Sequence, residues 1–489
     1  ESEDAGEQQI EEIVVSGLRG SIQLAQDIKR SSDTVVSAIA ADDLGRFSDE
    51  AISNAMQRIP GVQIERNDGG QEGDRASVRG LGPKFVKTTV NGRTMLSSGT
   101  EALSNLRAFN LEVIPADVVS GVNVTKMPTA SGVGSGIAGK VDLKTRRPLD
   151  PRNFQDPDSN YFAIATARGN KGSIGDDLGS RFNAIVGGRF AEETIGFYLS
   201  GLVGDTNPGR DQLFPQVLQR DIKIDNTGDG IADEIREDVF TVNDIDFEPI
   251  REDQDREAIA GAFQWKPNER LNIVADGVYT SFDNVSIRNR VAPVFGDAID
   301  ATVFDPADIV IDDTNTLQSV APGGLDPASE VPVVFIPFLF GNKTETLVSG
   351  INFDLQANDN LNINIDIHYS YMDYAQDLPL PIFIQNVPGG QVGFNTDNGL
   401  FSSDLGGPLP LDGFSFPKGS ALARDVFADG DEIGFRVDFE NTFDNAGVFS
   451  SLEWGMRFTR ADVESIRTNI LDVADPSLTQ EELDDLGLQ

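Results

Sequence analysis

The sequence predicts a mixed α/β domain followed by antiparallel strands of a transmembrane β-barrel. Three observations carry that prediction. Up to about residue 150, helix caps and a helically spaced apolar stripe are interleaved with short strands broken by glycine and proline. Beyond Pro151, long segments alternate apolar and polar residues with period two. Between those segments, short turns and long polar connections follow one another in strict alternation.

Composition narrows the function classes. The chain has 489 residues, with 79 Asp+Glu against 39 Lys+Arg and a formal net charge of −40. Such a chain repels nucleic-acid phosphates, so nucleic acid is not an expected partner. Cysteine is absent, which excludes a disulfide framework and a thiolate metal site. The single histidine, His368, excludes a His-based triad and a two-His metal motif. No apolar run approaches the roughly 18 residues of a membrane-spanning helix. The longest, Val331 to Phe340, is interrupted by two prolines. The chain opens on Glu1 without a signal peptide, as a processed protein would.

Residues 1–30 read as a flexible terminus. The acidic opening Glu1 to Gln9 has almost nothing to bury, whereas Ile13-Val14-Val15 prefers an extended backbone. A β-competent peptide on such a tether suits capture by a partner that adds it to a sheet edge. An ordinary first strand is the alternative these residues leave open.

The segment 31–150 reads as the mixed α/β unit. Ser48-Asp49-Glu50 offers an N-cap and two acids to a helix, and Ile52, Ala55, Met56 and Ile59 form its apolar stripe. Pro60-Gly61 ends it, and Val62-Gln63-Ile64 resumes as a strand. A further strand, Thr88 to Arg93, closes in an Asn91-Gly92 turn. Val118 to Val124 and Lys140 to Arg146 complete the strand set. Gly134-Ser-Gly136-Ile-Ala-Gly139 matches a dinucleotide fingerprint, but a strand follows it where that chemistry needs a helix N-terminus. No P-loop ending is present.

Nine strands are expected after Pro151, near 160–169, 181–190, 195–204, 256–265, 270–282, 344–356, 360–374, 431–442 and 448–460. In the clearest, Leu361, Ile363, Ile365, Ile367, Tyr369 and Tyr371 share one face, and Asn362, Asn364, Asp366, His368 and Ser370 share the other. That division suits a strand between lipid and a wet lumen. Short turns are expected at 191–194, 266–269, 357–360 and 444–447. Long connections are expected at 205–255, 283–343 and 375–430, and the segment from Ala461 should begin another outer loop. Long connections without structure of their own are unusual in compact domains.

In order, the first 150 residues resemble the plug domain of TonB-dependent outer-membrane transporters. The matching segments are Ala55-Met-Gln-Arg-Ile-Pro-Gly-Val62, Val78-Arg-Gly-Leu-Gly82, Thr89-Val-Asn-Gly-Arg93, Ile114-Pro-Ala-Asp-Val118, Val122-Asn-Val-Thr-Lys126 and Gly136 to Arg146. The resemblance implies a plug over 31–150 and the N-terminal part of a barrel over 151–489. About nine of an expected 22 strands are then present, so the chain is expected to be part of a longer protein. It implies a transporter rather than an enzyme, placed in the bacterial outer membrane among its lipids, with the N-terminus and plug underside facing the periplasm. Glu11, Glu12, Ile13, Val14, Val15, Ser16 and Gly17 correspond to the TonB box, seized by TonB with its inner-membrane energising complex. The wording around Lys126 and Thr145-Arg-Arg-Pro148 looks most like a carbohydrate-scavenging branch. The resemblance therefore points to an oligosaccharide as the small solute; a siderophore–iron complex is the alternative, and a non-transporting adhesin a third reading. A surface lipoprotein would be a further partner. The implied solute-facing residues are Asn67, Asp68, Gln71, Glu72, Leu96, Ser97 and Ser98, with His368 facing the lumen by strand parity or serving as a hydrogen-bonded interior residue.

No cofactor is required by these readings, but one loop has the spacing of a calcium site. Asp225, Thr227, Asp229, the Ile231 carbonyl and Asp233 fall at positions 1, 3, 5, 7 and 9 of an EF-hand-like loop, with Gly230 at the tight turn. Position 12 is Arg236, so Glu234 would have to complete the set; an unliganded acidic turn is the alternative. The outer-loop phenylalanines could stack on a ligand or pack the loops together. No pair of carboxylates stands out as hydrolytic.

Overall fold

The computed structural model describes residues 22–32, 34–40, 52–66, 73–96, 108–127, 132, 134, 136–154, 156, 158–174, 178–396, 401–410, 413–415, 421–443 and 450–471. Glu11 to Gly17, Asn67, Asp68, Gln71, Glu72, Ser97, Ser98 and the 444–447 turn lie outside the described residues.

The N-terminal domain is built on strands β1 (Val36–Ala40), β4 (Val86–Val90), β5 (Arg93–Thr94), β6 (Gly121–Thr125) and β7 (Gly139–Lys144), in the sheet order β1-β6-β7-β4-β5. A hairpin of β2 (Val62–Glu65) and β3 (Arg75–Val78) packs beside it. The expected stripe of Ile52, Ala55, Met56 and Ile59 is buried on the short helix Ile52–Met56 and the turn that follows. The strand expected from Val118 starts later, at Gly121, because Ala116–Val118 forms a 3-10 turn. β7 runs parallel to β4 and continues into no helix, so the glycines before it cradle no pyrophosphate.

Among the described residues the second part is a 12-stranded sheet, antiparallel except for one short pairing in its outer part, and a separate four-stranded sheet. In chain order its strands are β8 (Tyr161–Asn170), β9 (Gly179–Phe190), β10 (Ile195–Thr206), β11 (Gly209–Ile224), β12 (Glu234–Asn268) and β13 (Leu271–Pro293). After the short helix Gly296–Ala301 come β14 (Val303–Phe304), β15 (Ile309–Ile311), β16 (Leu317–Val320), β17 (Glu330–Asn358) and β18 (Leu361–Pro381). The last are β19 (Phe383–Pro388), β20 (Gly393–Asn395), β21 (Ser402–Asp404), β22 (Ala421–Thr442) and β23 (Ser451–Leu471). The main path runs β8-β9-β10-β12-β13-β17-β18-β22-β23. Each of the nine strands expected after Pro151 overlaps one of these, four of them beginning one to three residues earlier than the observed strand.

Register makes the two faces unequal. One row crosses seven strands as Phe197, Phe263, Ala275, Ile351, Ile367, Phe435 and Phe458. Ile367 remains 47% exposed and Phe458 65%, a contiguous apolar surface that suits hydrocarbon. The row one residue further along faces inward as Tyr198, Ala262, Asp276, Gly350, His368 and Gly434. Against this inner face sits the N-terminal domain. Its core includes Val122, Val124, Val141 and Leu143 and is continuous with Leu202, Ala258, Ala260, Val278 and Val348 of the sheet.

Two expectations are corrected. The long connections are not loops: β12 alone spans 35 residues, and β11, β17 and the short strands β14 to β16 and β19 to β21 build a cap. Ile222, Val239, Val242, Phe295, Phe304, Leu317 and Phe394 form its apolar core, which supplies the burial that loops of this length would lack. The segment from Ala461 does not begin a loop either, because β23 continues to Leu471 paired with β22.

Candidate functional site

The contact between the N-terminal domain and the sheet is organised by one turn. Asn91 and Gly92 both have positive φ (51° and 81°), the geometry of a tight two-residue hairpin. The turn is locked from within: Thr89 Oγ1 donates to Asp142 Oδ1 at 2.6 Å and Gly92 N donates to the same oxygen at 2.7 Å. Asn91 Nδ2 donates to Thr145 Oγ1 at 2.7 Å. Burial would raise the Asp142 carboxyl, but Lys144 and Lys140 beside it hold it below the usual carboxylate range.

The locked turn aims Arg93 at the sheet. Its Nε donates to Asp366 Oδ1 at 3.0 Å, its Nη2 to Asp366 Oδ2 at 3.0 Å, and its Nη1 to Asp276 Oδ1 at 3.0 Å. Asn91 Nδ2 reaches Asp276 Oδ2 at 2.6 Å, and Arg147 Nη1 lies 3.5 Å from Asp276 Oδ1. The guanidinium is 2% exposed as a side chain, so this is a forked, desolvated ion triad with its donors matched. Asp276 is on β13 and Asp366 on β18, two strands apart. Gly350 of the intervening β17 leaves room: a Cβ there would come within 2.7 Å of Arg93 Cζ.

Two further ties flank the triad. Asp117 and Arg181 meet at 2.9 Å, and Leu96 N donates to Ser370 Oγ at 3.0 Å. The arrangement can hold the domain against one sector of the wall. It offers no nucleophile with an adjacent base.

The remaining candidates fall elsewhere. His368 is buried in the wall, with Nε2 3.2 Å from Glu432 Oε1 and the imidazole against Gly434, so it opens onto no solute surface. Its strand parity was legible; its neighbours were not. Leu96 packs on Met372, Tyr374, Val426 and Ala428. The Asp225 carboxylate accepts from the amides of Thr227, Gly228 and Gly230, and Asp233 from those of Asn226 and Thr227. The loop thus closes on its own backbone, and among the described residues no group of three or more His, Cys, Asp or Glu is gathered as a metal site. Phe335 lies 6.1 Å from Phe383 and Phe295 5.0 Å from Phe394, rings that pack cap segments together. Arg93, Asp276 and Gly350 were not singled out from sequence. The available signal was Asp366, a carboxylate on the inward parity of a strand whose other face is apolar.

Residues 28–141 match the family model described as the TonB-dependent receptor plug domain. Over 115 residues the chain is 30% identical to the "Probable TonB-dependent siderophore receptor PirA" of Acinetobacter baumannii, covering 22% of this chain and 15% of that protein. Among solved structures, the Pseudomonas aeruginosa ferric enterobactin receptor PfeA aligns at 10% identity and TM-score 0.35, over 88% of this chain and 72% of its own. The Acinetobacter baumannii ferric preacinetobactin receptor BauA aligns at 12% identity and TM-score 0.33, over 90% and 61%.

Proposed function

We propose that this chain, which belongs to the TonB-dependent receptors by its plug domain and so to a family of receptors rather than enzymes, serves energy-coupled import of a small solute across the outer membrane. The observation that carries the reading is the plug fastened by Arg93 to the inner face of a sheet whose other face is apolar. A folded domain on that face blocks passage until it moves, and a buried ion triad does not yield spontaneously. Force from TonB, applied through Glu11 to Gly17 on the periplasmic side, supplies the movement.

A siderophore–iron complex is the solute class supported by the plug's likeness to a siderophore receptor. An oligosaccharide is the second reading, supported by the sequence wording around Lys126 and Thr145-Arg-Arg-Pro148. A surface lipoprotein partner would accompany the oligosaccharide reading.

The test is uptake by cells carrying the full protein with Val14→Pro. Proline removes a backbone donor from the strand that TonB would pair with. Uptake should fall to the level of a deletion strain while the protein remains in the outer membrane. Unchanged uptake with the variant would defeat TonB coupling, and a surface role without uptake would favour an adhesin.

A further inference from the structure

We propose that the cap carries a glycan-docking groove of its own, off the transport route: an open cleft over the four-stranded sheet β15-β16-β20-β21 that takes an extended, uncharged, polyhydroxylated chain. Such docking goes beyond the import reading and does not depend on it.

The groove follows from which face of the small sheet is used. Ile309, Val320 and Phe394 stand opposite one another across β15, β16 and β20 and pack in or against the cap core. The next row, Val310, Ser319, Asn395 and Ser402, crosses all four strands on the other face of the pleat. Val310, Asn395 and Ser402 are exposed, and Ser319 is partly so. Two clefts of about 630 and 260 Å³ lie over that face and share Val310, Ser319 and Asn395. They run along the strands, from Asp312 and Thr316 at one end to Ala307 and Pro322 at the other. Across 307–312 that is roughly 17 Å of extended backbone, a span for a chain rather than for one small ring.

The groove opens away from the lumen. Val331 and Val333 of β17 belong to the cap core and share the parity of Ile351, with the β13–β17 register unbroken between them. The cap therefore packs on the face of the wall that lower down carries the apolar row, opposite the plug. The open face of the small sheet looks away from that core, and no plug residue lines either cleft.

Its lining suits hydroxyl groups. Phe240, Val217 and Phe401 form an apolar flank, with Phe240 43% exposed. The polar floor is already ordered. Gln318 Nε2 donates to Asp312 Oδ2 at 2.6 Å, and Gln318 Oε1 accepts from Thr396 Oγ1 at 2.8 Å. Asp312 Oδ1 accepts from the amides of Thr314 and Thr316, each at 2.9 Å. Side chains held in this way lose little freedom when a ligand arrives. Ser319, Ser402 and Asn395 exchange hydrogen bonds with O–H groups in either sense.

Charge narrows the occupant. Asp308, Asp312 and Asp404 line the clefts, and no Lys or Arg does. A polyanion is repelled by such a set and finds no forked cation to hold it. Two of the three acids are engaged within the cap, Asp312 as above and Asp404 by the Gly406 amide at 2.9 Å, so little negative charge is left for a basic peptide. A sugar ring supplies an apolar face for Phe240 and hydroxyls for the floor.

The full protein, purified in detergent, is titrated with four soluble polymers: a neutral β-glucan, a neutral mannan, polygalacturonate and oligolysine. Binding of a neutral polymer is expected, and of neither charged one. Ser319→Trp fills the groove from its open side and should weaken that binding at least tenfold. Phe240→Ala truncates an exposed ring and should weaken it roughly tenfold, which decides the matter even where the indole disturbs the cap. Binding of neither neutral polymer, or neutral binding that Phe240→Ala leaves intact, overturns the groove. Binding of oligolysine or polygalacturonate that Phe240→Ala weakens overturns the glycan as its occupant.

Discussion

Arg93 and Asp366, 273 residues apart in the chain, meet side-on, with Nε and Nη2 each donating to the carboxylate at 3.0 Å. A planar fork on a carboxylate fixes orientation as well as distance. The plug is thereby indexed to β18, and through Asp276 to β13.

Asp366→Asn leaves the Arg93 charge buried with half its compensation. Breaking a buried pair by changing one partner costs on the order of 3–5 kcal/mol. Hydrogen exchange should show faster opening of Val86–Thr94 with the surrounding strands unaltered. Protection equal to wild type would mean that the triad does not hold the plug.

Gly350→Ala places a methyl 2.7 Å from Arg93 Cζ and against the Ile367 carbonyl. Overpacking of this kind costs about 1–3 kcal/mol. Combining it with Arg93→Ala should recover part of that loss, and a double-mutant cycle measures the coupling. Strict additivity would show that the cost of the methyl arises at the Ile367 carbonyl and not at Arg93.

The 225–233 turn should respond to acid. Asp225 is held below the ordinary carboxylate range chiefly by the Gly230 amide, with Gly228 and Thr227 adding to it. Its pKa is lower folded than unfolded, so its contribution is present above about pH 4 and is lost as pH falls through the folded value. Protection of residues 225–233, taken relative to the intrinsic exchange rate at each pH, should fall across that acidic window and stay constant between pH 6 and 8. If the turn's own amides suffice to close it, a calcium chelator leaves this protection unchanged; loss of protection on chelation would support the calcium reading.

Ile367→Arg puts a charge in the middle of the apolar row, between Ile351 and Phe435. On a lipid-facing strand this costs about 2–4 kcal/mol near the bilayer midplane. Folding into vesicles, followed by denaturant titration, should register that loss. A cost near zero would place the row outside hydrocarbon.

Much of this architecture was legible because it obeys short periods. The β18 pattern, Leu361 to Tyr371 on one face and Asn362 to Ser370 on the other, needed only the pleat. The turn at Asn91-Gly92 needed only the preference for positive φ. The cap was not legible for a definite reason. Along β12 the buried positions Val239, Val242, Ile245 and Ile250 do not keep period two, and the β11–β12 ladder slips at Gln216/Val217 and again at Arg220/Ile222. Acidic residues between them make the segment look like a solvated loop, while a core assembled from distant segments holds it.

By itself the sequence determined where the nine strands of the main path lie, which residues alternate between their two faces, and that a plug-like domain comes first. All of these depend on neighbours within a few residues. Only the tertiary structure decided what the inward residues do. Asp276, Gly350 and Asp366 become one seat for Arg93 through register across strands. Register is a relation between segments far apart in the chain, and no local period encodes it.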